Sequence, residues 1–245
     1  MQFEFRGLSV HYEDEGEGWP LLLLNGVYMT CRSWRHVLPA FAARHRVLRV
    51  DFVDQGETGR MDGDYDLEFQ ADLVAALLDH VGLAQVDLVG TSYGGIVALI
   101  VALRRPDLVR RLVAANSAAY CSRSVRSASL KLNVVWDSLA KAVRPNSQAF
   151  GALGRITRSI QSVDERDSLE QVSCPTLVIS AQHDSLTPRH LQLEILSRMP
   201  NARHAEIAQA GHLVVYEKPE EFAALALGFL DEAEHAEHAE YAVAA

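Results

Sequence analysis

The sequence predicts a single α/β domain built on a doubly wound, mostly parallel sheet. Two observations lead to this fold class: short apolar strands alternate with helical segments along the chain, and polar loops follow several of the strands. At 245 residues the chain is long enough for one such domain with a substantial core. We therefore expect ligands to bind outside the carboxyl ends of the strands.

The N-terminal segment predicts an antiparallel hairpin, because apolar residues alternate between Phe3 and Tyr12 and the alternation breaks at Arg6-Gly7. Further short apolar segments predict strands at 21–24, 47–50, 86–89, 112–115, 176–180 and 203–207. Helical periodicity predicts helices at 67–81, where Asp66 is a candidate cap, at 94–104, and around 222–229.

The segment Gly90-Thr91-Ser92-Tyr93-Gly94 lies between a predicted buried strand and a predicted buried helix. A G-x-S-x-G sequence in this position is typical of a nucleophile elbow. The two glycines fit this role because so sharp a turn leaves no room for side chains beside the serine. The pattern predicts Ser92 as a nucleophile, with the backbone N–H of Tyr93 facing the oxygen of an attacked carbonyl. An ordinary turn serine is the alternative.

A nucleophilic serine needs a general base, and the base needs an acid that orients it. Asp184 follows the predicted strand at 176–180, and His212 lies in the loop after the last predicted strand. These loops share one sheet edge with Ser92, in the chain order Ser, Asp, His. The sequence therefore predicts Ser92, His212 and Asp184 as a catalytic triad. The alternative for Asp184 is a helix or turn cap.

The 57 residues between Asn116 and Cys174 are too many for a simple connection. Apolar residues at helical spacing over 132–143, and a second helical segment at 147–160, predict a small helical lid above the serine. The predicted divisions are a core of residues 1–117 and 174–232, a lid of residues 118–173, and an acidic tail of residues 233–245. The tail is either a fraying helix end or a disordered extension.

Three segments together resemble the α/β-hydrolase fold of serine hydrolases: Gly-Thr-Ser-Tyr-Gly-Gly at 90–95, Ala-Gln-His-Asp-Ser-Leu-Thr-Pro at 181–188, and the loop at 211–222 that begins Gly-His-Leu. The resemblance covers nearly the whole chain. It implies that Ser92 is the nucleophile, His212 the base and Asp184 the acid. It also implies that the backbone N–H groups of Val27 and Tyr93 form an oxyanion hole.

The loop after the strand at 21–24 departs from the usual family pattern, because Asn25-Gly26 replaces His-Gly. With the Met-Thr and Ser-Trp that follow, it resembles the branch that contains the rhamnolipid-pathway acyltransferase, which implies chemistry on 3-hydroxyacyl thioesters. We expect Asn25 and Tyr28 of this loop to contact substrate. Trp136 is expected either to line the ceiling of the site or to pack inside the lid. Asp51 and Asp54, after the strand at 47–50, are expected to accept backbone hydrogen bonds, with substrate contact as the alternative for Asp54 or Gln55.

These observations predict hydrolysis of a carboxylic ester or thioester with an apolar acyl group through an acyl-enzyme, with no metal, nucleotide or redox cofactor. One alternative is acyl transfer or thioester hydrolysis on groups carried by coenzyme A or an acidic acyl carrier protein. Another is a ligand receptor without turnover. The carrier hypothesis depends on the basic part of the predicted lid, residues 118–163, which has one acid, Asp137, against seven basic residues: Arg123, Arg126, Lys131, Lys141, Arg144, Arg155 and Arg158. A solvated helical surface is the other interpretation.

Composition narrows the classes of partner. The net charge is −9, and the chain lacks a basic stripe with interleaved aromatic residues, so we expect no nucleic-acid binding. It also lacks a signal peptide and an apolar segment of membrane-spanning length, so we expect a cytoplasmic protein. Cys31, Cys121 and Cys174 do not have metal-ligand spacing and are expected to be thiols in or near the core.

Overall fold

The computed structural model describes residues 1–122, 126–127 and 147–243. Eight strands in these residues form one sheet: β1 (Gln2–Phe5), β2 (Leu8–Glu15), β3 (Trp19–Leu24), β4 (His45–Val50), β5 (Val86–Thr91), β6 (Val109–Ala115), β7 (Thr176–Ala181) and β8 (Ala202–Ile207). The strand order is β1-β2-β4-β3-β5-β6-β7-β8. The β1-β2 and β2-β4 pairs are antiparallel and the other pairs are parallel. The predicted hairpin and mostly parallel sheet are confirmed.

The described helices are α1 (Leu38–Ala42), α2 (Leu67–His80), α3 (Tyr93–Arg104), α4 (Ser147–Ser159), α5 (Arg189–Arg198), α6 (Val214–Glu217) and α7 (Pro219–Val243). The predicted cap of α2 is confirmed, because the Phe69 N–H donates to the Asp66 carboxylate at 2.8 Å. Helix α5 was not predicted, and α7 continues into the segment assigned to the tail. Among the helices of the described ranges, none combines the length and hydrophobicity that a bilayer crossing requires.

The sheet separates two apolar cores, and the consecutive leucines of β3 show why. Leu22 and Leu24 pack into the core that contains α2 and α3, whereas Leu21 and Leu23 pack into the core that contains Phe222 of α7. All four leucine side chains are fully buried. Burial of each contributes about 1.5–3 kcal/mol to folding, so this strand anchors both layers. The prediction of a strand buried on both faces is confirmed.

Helix α4 falls within the predicted lid and packs at the carboxyl edge of the sheet. Ile156 is fully buried in the core shared with α2 and α3. The hydroxyls of Ser159 and Tyr93 lie 3.2 Å apart, so α4 contacts the first residue of α3. The helix predicted over 132–143, which includes Trp136, lies outside the described residues. The division of the chain into core, lid and tail stays a prediction.

Candidate active site

The turn between β5 and α3 holds Ser92 in a conformation that L-residues rarely adopt. Its φ angle is +51°, and its backbone N–H donates to the Ala115 carbonyl at 2.9 Å. The flanking glycines make this turn possible. A Cβ at Gly90 would lie 2.3 Å from the carbonyl oxygen of Gly94, and a Cβ at Gly94 would lie 2.1 Å from that of Leu24. The strand, the turn and the helix can therefore approach closely only because these positions lack side chains.

The structure brings together the three predicted catalytic side chains from three separate loops. Nε2 of His212 lies 2.9 Å from Oγ of Ser92. Nδ1 of the same ring lies 2.8 Å from Oδ2 of Asp184. A hydroxyl, an imidazole and a carboxylate thus form one continuous hydrogen-bonded chain, with the imidazole in the middle. This arrangement can remove a proton from the serine as it attacks an electrophilic carbon.

Asp184 is buried and strongly hydrogen-bonded. Its Oδ1 accepts from the N–H groups of Leu186 and Thr187, both at 2.9 Å, and its Oδ2 accepts from the Thr187 hydroxyl at 2.7 Å. Burial by itself would raise the pKa of Asp184, but the interactions with His212 and Thr187 outweigh it, so the pKa lies below its usual value. The carboxylate is therefore ionised at neutral pH. Asp184 both caps a turn and contacts the histidine, so the two interpretations from sequence are compatible.

The loop that carries His212 is held from two sides. The Asn116 side-chain amide donates to the carbonyls of Gly211 and His212, at 3.0 and 3.1 Å. The Glu217 carboxylate accepts from the N–H groups of Gly211 and Leu213, at 2.7 and 3.0 Å. The sequence analysis did not predict this role for Asn116, although a polar residue at the carboxyl end of β6 was a signal that pointed to it.

The two predicted oxyanion donors belong to segments close to Ser92. Gly26, the residue before Val27, lies near the serine, since a Cβ built on it would be 3.6 Å from Cβ of Ser92. Tyr93 is the first residue of α3, and the first N–H groups of a helix have no partner within the helix. The segment from Asn25 to Thr30, which we call the oxyanion loop, therefore lies alongside the elbow.

The predicted substrate contact at Asn25 needs correction. Asn25 is fully buried, its Nδ2 donates to the Val50 carbonyl at 2.7 Å, and its Oδ1 accepts from Nε1 of Trp34 at 2.6 Å. Both ends of the amide are thus occupied, and the side chain holds the oxyanion loop instead of facing a ligand. Tyr28 is 41% exposed on this loop, where a substrate can reach it. Trp136 lies outside the described residues.

A buried ion pair connects α4 to the loop after β4. Arg155 donates to both carboxylate oxygens of Asp54, at 2.7 and 2.8 Å, and Asp54 is fully buried at its side chain. Arg158 pairs with Asp64 at 2.9 Å nearer the surface. The sequence analysis considered both arginines as part of a landing face for an acidic partner or of a solvated surface, and in the structure both are paired within the protein. No local pattern signalled the Arg155–Asp54 pair, whose members are 101 positions apart.

Comparisons with known proteins agree with this fold. The profile of the Alpha/beta hydrolase family matches residues 21–225. The chain is 30% identical to 2-hydroxymuconate semialdehyde hydrolase of Pseudomonas sp. (strain CF600), over 94% of this chain and 93% of the relative. An alpha/beta hydrolase from a Medee basin deep-sea metagenome library superposes with a TM-score of 0.88 at 28% identity, over 94% and 97% of the two chains. The enol-lactonase from Burkholderia xenovorans LB400 has a TM-score of 0.82 at 23% identity, over 94% and 99%, and so shares the fold.

Proposed function

The chain belongs to the Alpha/beta hydrolase family, and from the contacts of Ser92, His212 and Asp184 we propose that it is a serine hydrolase. The proposed substrate is a carboxylic ester or thioester with an apolar acyl group, cleaved through an acyl-enzyme. The observation that carries this proposal is the unbroken hydrogen-bonded chain from the Ser92 hydroxyl through the imidazole to the carboxylate.

In the proposed mechanism His212 takes the proton of Ser92 as the serine oxygen attacks the substrate carbonyl. The resulting imidazolium is stabilised by ionised Asp184, which also orients the ring through Nδ1. The imidazolium then protonates the leaving group, and an acyl-enzyme remains. Water attacks this ester with His212 again acting as base, which releases the acid and restores the serine hydroxyl.

The backbone N–H groups of Val27 and Tyr93 are the proposed oxyanion donors. One belongs to the oxyanion loop and the other to the positive end of α3. A donor of this kind contributes about 2.7–4 kcal/mol to transition-state stabilisation in enzymes where its removal has been measured. The hydrogen bonds of Asn25 support this assignment because they restrain the loop before any substrate arrives.

Exposed apolar side chains support the proposal of an apolar acyl group. In the described residues five large apolar side chains are exposed, and three of them flank the proposed site: Tyr28, Leu186 and Leu213. Tyr28 and Leu213 directly follow Val27 and His212, and Leu186 lies two positions after Asp184. Because large apolar residues are costly to leave in water, their concentration here favours a substrate with an apolar portion.

Two alternatives share this chemistry. The 30% identical relative acts on 2-hydroxymuconate semialdehyde according to its name, so hydrolysis of that compound is a second candidate function. Acyl transfer from a thioester of coenzyme A or of a carrier protein also begins with an acyl-enzyme, and differs in the acceptor that takes the acyl group. The internal pairing of Arg155 and Arg158 removes two of the basic residues on which the carrier hypothesis depended.

The test compares the wild-type protein with Ser92→Ala on four substrates: p-nitrophenyl acetate, p-nitrophenyl octanoate, octanoyl-coenzyme A and 2-hydroxymuconate semialdehyde. Ser197→Ala is the matched control, because that hydroxyl bonds only locally to the Glu194 carbonyl on α5. We expect turnover of the octanoate ester or thioester to exceed that of the acetate ester. Ser92→Ala should lower kcat by at least about 10⁴-fold and Ser197→Ala should not change it.

The outcomes separate the hypotheses. Serine-dependent turnover of the semialdehyde alone would replace the ester proposal by the second candidate. A single burst without steady-state release, on every substrate, would favour a receptor that forms one covalent adduct. Turnover that persists in Ser92→Ala would refute serine catalysis.

A further inference from the structure

Three side chains with different ligand atoms converge outside the proposed catalytic site. They are His11 of β2, Cys31 at the start of a 3₁₀-helix (Cys31–Trp34), and Asp51 directly after β4. An imidazole nitrogen, the thiol sulfur and a carboxylate oxygen all lie within 4.8 Å of one another. Cys31 and Asp51 are 1% and 2% exposed, and the His11 side chain is 12% exposed. We call these residues the His-Cys-Asp cluster.

Backbone hydrogen bonds hold the cluster together. Oδ1 of Asp51 accepts from the Cys31 N–H at 2.7 Å, and Oδ2 accepts from the Glu57 N–H at 2.9 Å. The Asp51 N–H in turn donates to the His11 carbonyl at 3.0 Å. Each carboxylate oxygen keeps a second lone pair, so these bonds orient Asp51 without exhausting its capacity as an acceptor. Such hydrogen bonds around ligand groups are typical of metal sites, where they fix the geometry of the ligands.

A surface cavity of about 170 Å³ leads to the cluster, with Glu13 and Glu57 in its wall. Their carboxylates lie 3.6 and 3.8 Å from the ring nitrogens of His11. Two cations lie nearby: Arg49 contacts Glu13 at 2.6 Å, and Arg32 contacts Glu57 at 3.5 Å. Asp51 and Glu15, which also pairs with Arg49, bring the number of carboxylates to four, against two arginines. This excess of negative charge favours binding of a cation.

The chemistry of the donors selects among cations. Mg²⁺ and Ca²⁺ bind oxygen ligands, whereas a thiolate and an imidazole suit Zn²⁺ and related transition metals. Alkylation or oxidation of Cys31 by a soluble reagent is a weaker interpretation, because the thiol is almost completely buried. A purely structural network is the other interpretation, in which Arg49 and the His11 ring face the glutamates and the Cys31 thiol bonds to Asp51. Titration with Co²⁺ distinguishes the two.

We propose that His11, Cys31 and Asp51 bind one Zn²⁺-class ion as its three protein ligands. On binding, the thiol proton passes to solvent and a metal–sulfur bond forms. Cys31 directly follows the oxyanion loop, so the ion joins the end of that loop to β2 and to the end of β4. The site therefore stabilises the fold beside the catalytic serine without contributing to the reaction.

The test uses metal-free full-length protein titrated with Co²⁺, which reports a thiolate ligand by a near-ultraviolet sulfur-to-cobalt charge-transfer band. We expect one equivalent of Co²⁺ to produce the band and Zn²⁺ to abolish it by displacement. Cys31→Ser should lose the band, whereas the matched variants Cys121→Ser and Cys174→Ser should keep it. His212→Ala should also keep it, which separates this site from the proposed catalytic histidine.

A second measurement does not require that Cys31→Ser folds. His11 is partly exposed, and His11→Ala should bind Co²⁺ at least about tenfold more weakly than the wild type. Zn²⁺ should raise the Tm of the wild type and raise it less in His11→Ala. The proposal is overturned if the wild type shows no charge-transfer band, if Cys31→Ser retains it, or if His11→Ala binds Co²⁺ as tightly as the wild type.

Discussion

Replacement of Arg155 by alanine should destabilise the protein far more than the same replacement of Arg158, three residues further along α4. The two arginines differ in the environment of their ion pairs. The Arg155 side chain is 13% exposed and its partner Asp54 is 0% exposed, whereas Arg158 and Asp64 are 39% and 66% exposed. Comparison of Arg155→Ala with Arg158→Ala therefore holds constant the residue type, the helix and the charge that is removed.

The expected magnitude follows from what each truncation leaves behind. Removal of one member of a buried ion pair costs about 3–5 kcal/mol, because the other charge stays buried without its partner. The Asp54 carboxylate still accepts from the Met61 N–H at 3.2 Å and lies beside the Tyr65 hydroxyl, so we expect the lower end, about 3 kcal/mol. An exposed pair contributes about 0–1 kcal/mol. For a chain of this size, the loss at Arg155 corresponds to a fall in Tm of about 6–12 °C.

Urea unfolding followed by circular dichroism gives the free energy of unfolding of both variants. Asp54→Asn and the double variant Asp54→Asn/Arg155→Ala complete a thermodynamic cycle that isolates the coupling between the two side chains. Amide hydrogen exchange of α4 would detect undocking of the helix without global unfolding. Equal losses for Arg155→Ala and Arg158→Ala, or additive effects of the two changes in the cycle, would refute the reasoning.

Three further predictions concern the proposed site and its elbow. Asp184→Asn should lower kcat on a p-nitrophenyl ester by about 10⁴-fold, because the imidazole loses the charge that orients it; a loss below tenfold would contradict this role. The folded-state pKa of Asp184 lies below its usual value of 3.8, so its stabilisation is present above that value and is lost as pH falls through the folded pKa. The difference in unfolding free energy between the wild type and Asp184→Asn should accordingly shrink below about pH 4, and an unchanged difference in an acid titration would contradict the pKa shift. Gly94→Ala should cost at least about 4 kcal/mol because its Cβ would meet backbone at 2.1 Å, whereas Gly228→Ala, which meets nothing within 4 Å on α7, should stabilise by about 1 kcal/mol in a thermal melt.

Local patterns were sufficient for the elements that depend on neighbouring residues. The hairpin turn was predictable because the alternation of apolar residues breaks at Arg6-Gly7, and in the structure both residues adopt the positive φ angles of a tight turn. The elbow was predictable because its glycines and its serine lie within five positions. Asp184 and His212 each lie in the loop after a strand, and parallel strands bring such loops to one edge of the sheet. Their convergence on Ser92 in the structure follows from that topology.

Predictions failed where a side chain's partners come from distant segments. Asn25 follows a strand at the correct edge, yet Val50 and Trp34 occupy its amide, so the residue is structural. The sequence left Arg155 as part of a basic segment without an internal partner, and the structure pairs it with Asp54. No local sequence pattern indicates the partners of Asn25 or Arg155, because these partners depend on which loops the folded sheet places in contact.

The sequence by itself determined the fold class, the order of the strands along the chain and the three residues proposed for catalysis. Each of these depends on hydrophobic periodicity or turn chemistry over a few consecutive residues, which are properties of the chain before it folds. Only the tertiary structure decided how charged and ligand-bearing side chains are paired. His11, Cys31 and Asp51 are separated by twenty positions each, and they meet because β2 pairs with β4 and the oxyanion loop ends against that pair. Electrostatic and ligand contacts act over a few ångströms in space, so they become visible only when the sheet is assembled.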